Sequence, residues 1–170
     1  EYTYSVPHKQ VVYGSIDIFS HIMEAYFSKP DTPNVSDYIA EALMKSLIEN
    51  LEAAIHNMRD YTARSNLMWT GSLAINELIA CGKRTDWETH QIEHALSAFF
   101  DIPHGAGLAV VQPHYYRYIY HSAPEKFARW AETIWHIDGN GMTEEELALT
   151  GINAMQKWFK KVGAPTTLRE

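Results

Sequence analysis

The feature that most constrains this chain is a helical period that recurs along its whole length and never gives way to a period of two. Over residues 7–27, Val12, Ile16, Phe19, Met23 and Tyr26 follow one another at spacings of 4, 3, 4 and 3. With 3.6 residues per turn, these side chains share one stripe of an amphipathic helix. Ala40, Leu43, Leu47 and Leu51 mark a second helix over 35–56. Between the two, Ser-Lys-Pro-Asp-Thr-Pro-Asn at 28–34 supplies two prolines and capping side chains, which break the chain and start it again. Asn34-Val35-Ser36 also fits a glycosylation sequon, but here it reads as capping sequence.

A third helix is expected over 60–81, with Gly82 where a left-handed stop is wanted. A fourth is expected over 86–100, then a break at Pro103-His104-Gly105 and a fifth to about residue 120, which Pro113 should kink or shorten. Beyond Ser122-Ala123-Pro124 a sixth helix reaches about residue 136. Asp138-Gly139-Asn140-Gly141 reads as a turn, because Met142 and Thr143 spoil a calcium loop. Thr143, with an acidic first turn and Glu146 at the capping-box position, starts a last helix that should stop at Gly163, ahead of Pro165. The expected fold is all-α, a multi-helix domain of about seven helices, with no internal repeat. Trp130, Trp135, Trp158 and Phe159 are expected in its core, as are Phe99, Phe100, Tyr115 and Tyr116, although these four also lie near enough to His104 to line a pocket.

A single domain of 170 residues buries roughly 70% of the surface its unfolded chain exposes, so neither disulfides nor a structural metal are required. Cys81 is alone, and the cytoplasm is the expected compartment. A formal net charge of -7, with no basic run longer than a pair such as Lys160-Lys161, argues against nucleic acid as a partner. The longest apolar-or-glycine stretch, 105–111, falls far short of the roughly 20 residues that cross a bilayer. The opening Glu-Tyr-Thr-Tyr-Ser, without an initiator Met or a signal pattern, suggests a start inside a longer chain.

Against this background the 9 histidines stand out. Asp17 and His21 are four apart on the first helix and leave one face together. His90 and His94 repeat that spacing on the fourth helix, and His104 follows at the Pro-His-Gly turn. One carboxylate with three or four imidazoles and no thiolate suits Zn²⁺ or Fe²⁺. His8, His56, His114, His121 and His136 show no ligand spacing and read as solvated or core residues. A competing signature overlaps the cluster: His90-Gln91-Ile92-Glu93-His94 matches H-x-x-E-H, the zinc-peptidase pattern in which both histidines bind zinc and the glutamate is general base. That reading leaves Asp17, His21 and His104 unexplained. A non-catalytic helical module with incidental histidines is the third alternative.

Three segments in order, Gly14-Ser15-Ile16-Asp17 through His21 to Tyr26, His90 through Ala98, and Pro103-His104-Gly105 through Val110 with Pro113, resemble the iron-containing (group III) alcohol dehydrogenases. Tyr2-Thr3-Tyr4, Asn66-Leu67-Met68-Trp69 and Asp86-Trp87-Glu88-Thr89 lean toward the butanol dehydrogenase and aldehyde reductase branch. The resemblance implies a dehydroquinate synthase-like C-terminal helical domain. It implies that Asp17, His21, His90 and His104 coordinate one divalent iron or zinc, with His94 beside them as a polar or proton-handling residue. Glu93 becomes an ordinary helix residue on this reading. It further implies an NAD(P)-dependent enzyme acting on a small alcohol or aldehyde, with NAD or NADP held by an N-terminal domain. Residues 1–170 would then be the helical metal-binding catalytic domain alone, inactive by itself, lacking that N-terminal domain and the extreme C-terminus, and able to pair as a homodimer. No G-x-G-x-x-G follows a strand, and Gly105-Ala106-Gly107 reads as the start of a helix.

Overall fold

The computed structural model describes residues 1–169 and is built from seven α-helices. They are α1 (His8–Tyr26), α2 (Val35–His56), α3 (Tyr61–Ile75), α4 (Glu88–Phe100), α5 (His104–Ile119), α6 (Pro124–Trp135) and α7 (Glu144–Lys161), with 3₁₀ turns at Leu78–Ala80 and Tyr120–Ser122. The all-α expectation holds: the described residues contain no strand beyond one isolated bridge, Lys29 to Arg84. No described helix is long and apolar enough to cross a membrane.

The stripe read from the sequence of α1 is the centre of the core. Ile16, Phe19, Met23 and Tyr26 are fully buried, with Leu47 and Leu51 of α2, Trp130 of α6 and Phe159 of α7. Phe19 packs at 5.4 Å from Trp158 and 6.1 Å from Phe159, ring centre to ring centre, and so joins α1 to α7. Phe27 stacks on Phe127 at 3.9 Å and joins the end of α1 to α6. Each such side chain contributes about 1.5–3 kcal/mol by leaving water.

A buried polar network closes the same C-terminal end of α1. Asn34 caps α2, accepting from the Asp37 amide at 3.3 Å, and Asp37 returns the contact to the Asn34 amide at 3.0 Å. The same Asp37 faces the ammonium groups of Lys83 and, at 3.5 Å, of Lys126. Burial and the neighbouring Lys83 lower the pKa of Lys126, which also donates to the carbonyls of Ser28 and Pro30. Glu41 accepts from the Tyr26 hydroxyl at 2.9 Å and from Nε and one terminal nitrogen of Arg129 at 2.7 and 3.0 Å. Each charge is taken from water with partners in place, so removing one would strand another.

Two boundaries, and the effect of one proline, differ from the sequence expectation. α3 ends at Ile75 rather than 81, because Asn76 turns its side-chain oxygen to the Leu78 amide (3.1 Å) and Glu77 adopts a left-handed conformation, φ 67°. Gly82 is left-handed too, but terminates only the following turn. α4 starts at Glu88 rather than 86, since Trp87 is left-handed (φ 59°) and Asp86 accepts from the Glu88 amide. Pro113 does not shorten α5, which continues to Ile119; the missing helical bond is offset by burial of Leu108, Ala109 and Tyr116 on either side. The last helix behaves as expected, capped by Thr143 with Glu146 and stopped at Gly163, φ 89°.

Two glycines of these helices should respond in opposite ways. A methyl group on Gly14 of α1 meets nothing within 4 Å, so Gly14→Ala is expected to add about 0.5–1 kcal/mol of stability. A Cβ on Gly151 of α7 would sit 2.7 Å from that of Ala131 and 3.0 Å from the Trp130 ring, and Gly151→Val should cost about 1–3 kcal/mol. Urea unfolding of the two variants beside the parent chain measures both signs.

Candidate metal centre

The polar side of α1 carries a second stripe. Asp17, His21 and Glu24 sit at i, i+4 and i+7, about 140° around the helix from the core stripe at 100° per residue. Two further helices meet this face: α4 brings His90 from its first turn, and α5 brings His104, its first residue. The Nε2 atoms of His104, His90 and His21 lie 3.3, 3.4 and 3.7 Å from one oxygen of Asp17. A tetrahedral ion with bonds of 2.0–2.1 Å spaces its ligand atoms about 3.4 Å apart. Asp17, His90 and His104 form the tight part, their ligand atoms all within 4.8 Å of one another. His21 stands at the edge, held to Asp17 and with its ring 4.4 Å from that of His90.

These atoms lack ordinary partners. Asp17 Oδ1, His90 Nε2 and His21 Nδ1 are buried without a hydrogen bond, a condition that buried polar groups avoid unless something else faces them. The opposite edges of two rings are occupied: His90 Nδ1 meets Glu24 Oε2, and His104 Nδ1 meets Glu93 Oε2. Three carboxylates, Asp17, Glu24 and Glu93, therefore converge on three imidazoles in a partly dry site, where uncompensated negative charge is costly. Burial opposes the charge on His90, but the facing carboxylates of Asp17 and Glu24 carry its pKa up to about 9. Burial likewise works against ionised Asp17, yet His90, His21 and His104 hold its carboxyl below the usual value. His21 is pushed down by burial and by the neighbouring His90, which leaves its ring neutral and its lone pair free. Oxygen and imidazole donors at these separations fit divalent iron or zinc.

His94 is exposed, with its ring 5.1 Å from that of His104. Glu93 is not an ordinary helix residue. It is fully buried between His104 and the Ser97 hydroxyl, which donates to its second oxygen. The same placement removes it as a peptidase base, a role that needs access to water. Glu24 carries no motif; the only trace in the sequence is a charge one helical turn beyond His21 within an otherwise apolar run, Ile22-Met23-Glu24-Ala25-Tyr26. Phe99 and Phe100 are exposed at 85% and 69% rather than in the core, whereas Tyr116 is buried and Tyr115 packs partly buried against it. His8, His56, His114, His121 and His136 are all exposed. A cleft of about 410 Å³ opens beside Asp17 and His104, lined also by Gln10, Tyr13, Asp101 and Ile102.

Residues 11–170 match the family described as Fe-containing alcohol dehydrogenase, C-terminal. The chain belongs to the iron-containing alcohol dehydrogenase family. It is 41% identical over 170 residues to NADH-dependent butanol dehydrogenase A of Clostridium acetobutylicum, covering 99% of this chain and 43% of that protein. It is 33% identical to the NADPH-dependent aldehyde reductase YqhD of Escherichia coli, over 99% of this chain and 43% of the relative. The crystal structure of NADH-dependent butanol dehydrogenase A from Thermotoga maritima superposes with a TM-score of 0.92 at 44% identity, covering 98% of this chain and 41% of that one. The chain thus spans about two fifths of the length of these relatives.

The approach of α5 to α1 leaves no room at Gly105. A Cβ there would fall 2.0 Å from the Tyr13 carbonyl oxygen, a backbone atom that cannot turn aside. Gly105→Ala is expected to cost about 3 kcal/mol and to displace His104; thermal unfolding should show a lowered midpoint, in contrast to Gly14→Ala in the same helix pair.

Proposed function

We propose that this chain is the metal-binding helical domain of an NAD(P)-dependent alcohol dehydrogenase or aldehyde reductase of the butanol dehydrogenase kind, with Asp17, His21, His90 and His104 holding one divalent iron or zinc ion. The observation that supports it most directly is the meeting of three Nε2 atoms at 3.3–3.7 Å around one Asp17 oxygen, with Asp17 Oδ1 and His90 Nε2 buried and unpartnered. The names of the relatives supply the reaction class.

When bound, such an ion supplies Lewis acidity at the oxygen of an alcohol or aldehyde, which favours hydride exchange with a nicotinamide. The residues of the chain do the rest. Asp17 brings the only negative charge among the four ligands, and the neutral ring of His21 keeps a lone pair free beside it. The cleft between Asp17, His104, Gln10 and Tyr13 orients a small substrate beside the ligand cluster. His94, exposed and one helical turn from His90, passes the hydroxyl proton between substrate and water. Nicotinamide binding falls to the part of the relatives' length that this chain does not span.

Elemental analysis after dialysis tests the reading. About one iron or zinc per chain is expected in the parent protein and almost none in Asp17→Ala or His104→Ala, with helical circular dichroism retained in all three. A folded parent chain without metal overturns the proposal.

A further inference from the structure

We infer that Glu24 and Glu93 are positioning residues for the metal centre, Glu24 fixing the ring of His90 and Glu93 fixing the ring of His104. The inference rests on the reading that Asp17 and the histidines hold an ion. Both glutamates are buried, at 4% and 0% exposure, and although Glu93 lies within ligand distance of His94 and His104, its two oxygens are already taken by His104 and Ser97. Each reaches from one helix to a histidine on the next: Glu24 from α1 to His90 on α4, Glu93 from α4 to His104 on α5.

Both contacts fall on Nδ1. A carboxylate at Nδ1 accepts its proton and so selects the tautomer whose Nε2 lone pair is free, and in both rings Nε2 is the atom that faces Asp17. The second oxygen of each carboxylate is tied as well, so neither group turns about its own axis. Glu24 Oε1 accepts from the Thr89 amide at 2.7 Å, and Glu93 Oε1 accepts from Ser97. The Thr89 bond also satisfies an amide in the first turn of α4, which Trp87, at the cap position, leaves without a side-chain acceptor. Glu93 is wedged from behind by Gly107, where a Cβ would lie 2.3 Å from Oε1. In this fold the glutamate of the H-x-x-E-H pattern therefore serves the histidine of the following helix. His21 has no such partner, its Nδ1 being buried and unpaired, and it is the ring that stands at the edge of the cluster.

Metal-free protein titrated with Co²⁺ and read by visible absorption, with the dissociation constant from chelator competition, distinguishes these roles. Glu93→Gln and Glu24→Gln, which keep shape and lose charge, are each expected to bind Co²⁺ about 10–100-fold more weakly with an altered absorption band, while the metal-free thermal midpoint stays with the parent. Co²⁺ affinity unchanged in both variants, with Asp17→Ala abolishing binding, overturns this inference and leaves the metal-site reading standing. A loss of affinity that appears only together with a fallen metal-free midpoint also overturns it, since a purely structural carboxylate predicts that pattern. A parent chain that binds no Co²⁺ overturns both.

Discussion

A carboxylate taken out of water needs a proton or a cation in front of it, and this domain takes three of them into one place. Among Asp17, Glu24 and Glu93 only Glu24 draws on a helix amide, that of Thr89, and imidazoles from other helices come to meet all three. The architecture follows from that requirement. α1, α4 and α5 cross where their charged residues can face one another, and glycines stand at the two closest approaches, Gly105 against Tyr13 and Gly107 against Glu93.

α1 carries both halves of the design. One side holds Ile16, Phe19, Met23 and Tyr26 in the core; the other holds Asp17, His21 and Glu24. Because the apolar side is locked by Leu47, Trp130 and Phe159, the polar side is presented at a fixed rotation, and the positions of Asp17 and His21 are set by packing on the opposite face. The buried network of Asp37, Lys83, Lys126 and Glu41 holds the C-terminal end of the same helix, just beyond Glu24.

Much of this was legible in the residues alone. The seven helices follow from apolar spacing and from punctuation such as Asn34, Pro124, Thr143 and Gly163. The i, i+4 pairs and the Pro-His-Gly turn pointed to the cluster at which Asp17, His90 and His104 meet. What the sequence hid were interactions between helices. Glu24 and Glu93 act on histidines 66 and 11 residues away, and no local pattern reports such a partner. Glu93 was obscured further by a motif that assigns the same letter another task. The early end of α3 depends on Asn76 and Glu77, where a side-chain bond to backbone competes with the helix, while the apolar pattern runs on to Ile79. Phe99 and Phe100 show the limit of hydrophobicity as a guide, since their exposure depends on the rotation of α4, which its charged and histidine residues set.

That rotation has a consequence for how the domain moves. The only buried residues of α4 are Thr89, His90 and Glu93, all polar, so this helix is fastened by charge and hydrogen bonds where its neighbours are fastened by apolar area. Its docking therefore draws on polar contacts more than on the apolar core. The backbone amides of α4 are therefore expected to exchange with solvent more readily than those of α1 or α7.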